Sequence, residues 1–209
     1  MNGRFAKAHL DEIEEYRGGE KAGFRAVRKH FGIQAFGINA WSAAGPGAYV
    51  IEPHRETNPF TLRHEELYFV ARGHAVFELD GEEVDAPVGT FVFVRDPDVE
   101  RAAVAREPDT LVLALGGEPG KPYEVGPWEW SYPAYLALVR GDPADAKRLL
   151  EEALDRYPDH PRMLYRLAWA KLGLGEHEEA RVTMARAIEL EPELRERARG
   201  DPDVADIAP

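Results

Sequence analysis

"RHEELYFVARG", residues 63–73, sets a carboxylate, Glu66, ahead of a glycine, Gly73, with an apolar run between them. On an extended strand alternate side chains face the same way, so His64, Glu66, Tyr68 and Val70 share one face while Glu65, Leu67 and Phe69 take the other. If Glu66 points inward, His64 and Tyr68 accompany it. A buried imidazole, carboxylate and phenol need hydrogen-bond partners and can supply them to one another.

The same texture extends on both sides of this stretch. "IQAFGINAW" (33–41), "AYVIE" (48–52), "ELYFVA" (66–71), "HAVFELD" (74–80), "EEVDA" (82–86), "TFVFV" (90–94) and "TLVLAL" (110–115) are rich in β-branched and aromatic residues, as pleated half-buried surfaces prefer. Asp80-Gly81 marks a tight hairpin, because the turn that matches strand twist needs positive φ. Seven short strands so closely spaced predict an antiparallel sandwich or barrel. Ahead of them, "FRAVRKHFGI" places Phe24, Val27 and Phe31 on one face of a predicted helix.

Near "GGEPGKPYEVGPWEW" (116–130) glycine and proline interrupt the strand pattern, and a helical period follows. The expected layout is a helical segment over 1–32, a β-barrel over 33–118, a linker over 119–130 and helical repeats with a C-terminal cap over 131–209. The fold class is therefore α+β in two domains, an antiparallel barrel followed by an all-α unit. In the second half Gly141, Ala146, Ala153, Leu154 and Pro158 recur at a constant offset as Gly175, Ala180, Ala187, Ile188 and Pro192. Asp142 and Pro143 form an N-cap and first-turn pair, and Pro161 opens another helix.

The chain of 209 residues is 44% hydrophobic, enough for a core in either arrangement. With no cysteine it excludes disulfide scaffolds, thiolate nucleophiles and cysteine-held metal clusters. The net charge of −12 is spread over both halves, with no basic cluster, so nucleic acid is not an expected partner. No apolar run suits a membrane span, and a soluble cytoplasmic protein is expected. Phosphate loops, nucleophile elbows and the HExxH helix are absent from the sequence.

The repeating unit, with glycine in the turn, alanines where helices touch and a terminal proline, resembles the tetratricopeptide repeat over about residues 127–194. Trp130 and Leu164 take its early large-residue position. Pro133 and Lys171 depart from it, and Pro133 predicts a short or irregular first helix. Such a pair acts either as a buttress docked on the barrel or as a peptide-binding surface.

Residues 33–117 resemble the cupin superfamily, whose first motif runs glycine, five residues, H-x-H, three or four residues, glutamate, six residues, glycine. Glu66 and Gly73 match its end; Gly89 and Pro97 match part of the second motif. The resemblance implies an RmlC-like jelly-roll barrel in which three histidines and this glutamate hold a divalent metal, Fe, Mn, Ni or Zn. It also makes a homodimer plausible. The histidine positions of the first motif hold Leu62 or Thr61 and Phe60 or Pro59, while "HRE" (54–56) offers a displaced H-x-E. The second motif lacks its histidine altogether, since none occurs between His74 and His160, and Glu100 is the nearest substitute ligand.

Three readings stay open. One is a cupin-like protein with a degenerate metal site, with no cofactor, that binds a small molecule or partner protein through a pocket including Trp41, His64, Glu66 and Tyr68. Another is a metal-dependent oxygenase or isomerase with His54, His64 and Glu66 as ligands and Tyr68 as proton donor. The third is a peptide-binding repeat scaffold.

Overall fold

The computed structural model describes residues 6–57 and 63–209. The chain divides into two compact units, 1–126 and 127–209.

Among the described residues the first unit has nine strands: β1 (Gly23–Arg25), β2 (Gly37–Ser42), β3 (Tyr49–His54), β4 (Glu65–Arg72), β5 (His74–Leu79), β6 (Glu82–Pro87), β7 (Phe91–Val94), β8 (Arg101–Ala105) and β9 (Leu111–Gly117). They pair antiparallel in two sheets, ordered β1-β2-β9-β4-β7 and β3-β8-β5-β6. One apolar core joins the inner faces: Tyr68, Val70, Val92, Val94 and Val112 from the first sheet pack with Val50, Ile51, Phe77, Ala86 and Ala103 from the second.

In this unit two expectations need correction, the helix over Phe24 and the set of seven strands. Phe24 is not on a helix: it lies in β1, opposite Trp41, and only Val27–Phe31 coil into a short helix, α1. Gly23–Arg25 pair with β2 instead, and Phe24 becomes wholly buried. "RAAVA" (101–105) is a central strand, although its alanines carry little strand propensity. Its neighbours on both sides need small side chains to admit the core, and Ala103 and Ala105 are fully buried.

The turns have local causes. Asp80 and Gly81 both take positive φ, 49° and 86°, between β5 and β6. Gly73 has φ 72°, and a Cβ there would stand 2.8 Å from Thr110 Cα. Glycine ends the opening motif for both reasons.

The second unit contains α2 (Pro127–Val139), α3 (Pro143–Arg156), α4 (Pro161–Gly173), α5 (His177–Leu190) and α6 (Leu194–Gly200). Ala146, Ala153, Ala180 and Ala187 are fully buried, as required where helix backbones approach. Pro133 does not shorten α2, which runs for 13 residues like α4. At the C-terminus Val204 and Ile207 pack with Leu194, Ala198 and Ile188, covering the last apolar face.

Candidate functional site

The inward face of the five-stranded sheet is fixed by its register. Glu66 stands between Val94 and Gly116, which pairs with Gly37; Tyr68 stands between Val92 and Ala114, which pairs with Asn39; Val70 aligns with Val112 and Trp41. Glu66, Tyr68, Asn39 and Trp41 therefore face the same interior.

From the opposite sheet β3 delivers His54 at its end, with Glu56 just beyond, its backbone N–H donating to the Pro97 carbonyl at 3.0 Å. Strand β8 opens with Arg101, in register with His54. Arg101 has no exposed surface. Its guanidinium is wrapped by the turn before β8: Nε donates to the Val99 carbonyl at 3.1 Å, and Nη2 to the Asp96 and Val99 carbonyls at 2.8 and 3.0 Å. Nη1 donates to Glu66 Oε2 at 3.1 Å.

The same Glu66 oxygen accepts from the Tyr68 hydroxyl at 2.5 Å and lies 3.4 Å from His54 Nε2. His54 Nε2 is also 3.5 Å from Glu56 Oε1. His54 Nδ1 lies 2.8 Å from the Glu52 carbonyl, which can only accept, so Nδ1 carries a proton and Nε2 is the nitrogen turned to the carboxylates.

These contacts set the charge states. Burial raises the Glu56 carboxyl, and the Glu66 charge adds to it, outweighing His54 and Arg101 and pushing its pKa up to about 7. Burial also works against charged Glu66, but hydrogen bonding and charge from His54, with Tyr68 and Arg101, hold it below the usual carboxylate range. For His54 burial is outweighed by Glu66, the Glu52 carbonyl and Glu56, and its pKa rises. Tyr68 is driven well above the phenol range by burial and by Glu66. Glu56, beside His54, is thus a carboxyl that exchanges its proton near neutral pH, a property general acid–base chemistry uses.

The structure brings His54, Glu56 and Glu66 together, with one possible ligand atom from each within 4.8 Å of the others. His64 stands at the margin: buried, its Nδ1 3.9 Å from Glu56 Oε2 and its ring 5.9 Å from that of Tyr123. Burial lowers its pKa. Trp41 shares the inward face two rows from Glu66 and packs on Phe24, ring centroids 5.0 Å apart, and on the core. Glu100 is exposed and paired with Arg55 at 3.1 Å. Leu62, Thr61, Phe60 and Pro59, the register positions of the motif's histidines, lie outside the described residues. Sequence reasoning missed Arg101 altogether. Its signal was a lone basic residue opening an otherwise apolar strand.

A cleft of about 640 Å³ lined by Pro53, His54, Arg55, Thr57 and Glu100 opens beside this cluster.

Residues 137–204 match the family model of the tetratricopeptide repeat. The helical unit carries this repeat. In it the turn glycines Gly141 and Gly175 adopt φ 80° and 79°. The curated proteins provide no match. Among solved structures, the chain is similar to KdgF from a Halomonas species, at 23% identity over 52% of this chain and 90% of that one, TM-score 0.43. A sugar phosphate isomerase of the cupin superfamily from Silicibacter pomeroyi is 20% identical over 55% and 77%, TM-score 0.44. A predicted oxalate decarboxylase from Thermotoga maritima is 18% identical over 53% and 97%, TM-score 0.42.

Proposed function

We propose that the first unit is a metal-independent, cupin-like binding module for a small polar molecule, and that the repeat unit offers a protein-interaction surface. The observation that carries the reading is the wholly buried Arg101 guanidinium donating to Glu66 Oε2. One imidazole and two carboxylates are suitable donors for iron, manganese, nickel or zinc. The fixed cation bonded to one of those carboxylates is not suitable. A divalent ion about 6 Å from it would be opposed by about 5 kcal/mol at an effective dielectric of about 20. Arg101, together with His54, thus supplies the positive charge that Glu66 needs in a buried site, and on this reading the residues present do not fit a metal.

Elemental analysis of protein purified without an affinity tag and washed with a mild chelator tests this. The expected result is far less than one equivalent of any transition metal. A full equivalent, lost in Glu66→Gln, would instead support the second reading, a metal-dependent oxygenase or isomerase. That reading is favoured by the convergence of His54, Glu56 and Glu66.

A further inference from the structure

Two arginines one turn apart on α4, Arg162 and Arg166, differ in what their guanidinium edges hold. Arg162 is filled: Nε donates to Glu191 Oε1 and Oε2 at 3.0 and 3.3 Å, and Nη2 lies 3.0 Å from Oε1, the forked geometry in which arginine takes a carboxylate. Arg166 has no such partner. Its Nη1 donates to the Ser131 carbonyl at 3.2 Å and to the Ser131 hydroxyl at 2.9 Å, both on α2, and among the described residues no other hydrogen bond engages its guanidinium. The Nε and Nη2 edge is therefore open, on a side chain that Ser131 holds in place.

The surroundings of this edge are cationic and aromatic. The Arg166 guanidinium carbon lies 5.0 Å from the Tyr135 ring centroid, and Trp128, Tyr132 and Tyr135 form a half-buried row along α2, successive centroids 6.0 and 5.9 Å apart. From α6, Arg197 lies over the Tyr165 ring at 5.3 Å, while the Tyr165 hydroxyl donates to Asp201 at 2.7 Å. Among the described residues no ion pair joins Arg166 or Arg197 to a carboxylate. Burial and the like charge of Arg197, with Arg162 adding to them and Tyr135 and Tyr132 opposing, push the Arg166 pKa down to about 10. A half-buried cation crowded by its own sign gains more from an anion than a solvated one does. Residues 127–209 nevertheless carry 17 acidic against 12 basic residues, which repels an extended polyanion such as nucleic acid. The fitting partner brings few negative charges, beside apolar groups for the aromatic row.

We propose that Arg166 takes the carboxylate of a glutamate or aspartate side chain in a peptide segment of a partner protein, with Arg197 as a second positive charge and the α2 aromatic row receiving flanking apolar residues. Glu191 on Arg162 is the same contact already made within the chain. The inference rests on the reading of the repeat unit as a protein-interaction surface. Random dodecapeptides displayed without a free C-terminus are selected on the full chain, and the most enriched peptide, synthesised with an amidated end, is titrated by fluorescence anisotropy. The enriched peptides carry Asp or Glu beside apolar residues, and exchanging that acid for its amide weakens binding at least about tenfold. Arg166→Gln weakens it as much, and so does Arg166→Lys, because an ammonium lacks the fork. Arg197→Gln, at an exposed position, weakens it at least about threefold while the helical circular dichroism stays that of the parent. Arg186→Gln, another exposed arginine, leaves binding within twofold. Enriched peptides without an acid, or acidic peptides that bind Arg166→Gln and Arg197→Gln within twofold of the parent, would overturn the inference and leave the interaction surface standing. Binding only by a parallel library with free C-termini assigns the open edge to a terminal carboxylate and overturns it too. No enrichment from either library overturns the underlying reading.

Discussion

Arg101 Nη1 donates to Glu66 Oε2 at 3.1 Å across the interior of the first unit, joining β8 of one sheet to β4 of the other. Removing the cation leaves a largely buried carboxylate with His54 as its remaining cationic partner. Arg101→Met should therefore destabilise the protein by about 3–5 kcal/mol. Replacing both partners, as Arg101→Met with Glu66→Leu, should recover most of the loss. Denaturant unfolding midpoints of the three variants measure both effects.

Arg101 is in register with His54, so Arg101→His exchanges the resident cation for an imidazole facing two carboxylates. On the metal-independent reading, this variant should gain divalent-metal binding relative to the parent. Nickel titrated into each protein by calorimetry provides the check, with a saturable isotherm near one equivalent expected only for the variant.

Glu56 should make stability fall with rising pH. Burial and Glu66 raise its native pKa to about 7, against an ordinary value of 4.5. Below about pH 4.5 both folded and unfolded forms hold the proton. Between pH 4.5 and 7 the unfolded chain releases it while the native state keeps it, so stability drops by about 3 kcal/mol and then levels off. His54, also raised, acts in the same direction as pH climbs through its native value. Glu56→Gln should match the parent near pH 4.5 and exceed its stability at pH 8, as read from urea unfolding at each pH.

Two glycines with positive φ separate backbone strain from crowding. At Gly81 nothing lies within 4 Å of an added Cβ, whereas at Gly73 it would meet Thr110 Cα at 2.8 Å. Gly81→Ala should cost about 1 kcal/mol. Gly73→Ala should cost at least about 2 kcal/mol more, through displacement of the chain at Thr110. Thermal midpoints rank the pair.

In the repeat unit Ala180 is fully buried and Val182 is 70% exposed. Ala180→Leu should destabilise by about 1–3 kcal/mol, because the added atoms have no space. Val182→Lys should stay within about 0.5 kcal/mol of the parent. Chemical denaturation followed by helical circular dichroism distinguishes them.

Sequence alone determined the features that depend on neighbours along the chain. The Asp80-Gly81 hairpin, the alternation that puts Glu66 and Tyr68 on one face, and the recurrence of Gly141, Ala146 and Ala153 as Gly175, Ala180 and Ala187 are all written in local spacing. Phe24 misled because a five-residue helix begins three residues after it, and only pairing with Trp41 makes it a strand residue.

Tertiary structure decided which groups meet. Arg101 is 35 residues from Glu66, and its side chain faces inward because β8 lies between β3 and β5, strands distant from it in sequence. The choice of Glu56 rather than His64 beside His54 and Glu66 likewise depends on how the end of β3 meets β4 across the interior. Pairing between sheets is set by packing the whole core, so local periodicity could propose the carboxylate but not the cation that holds it.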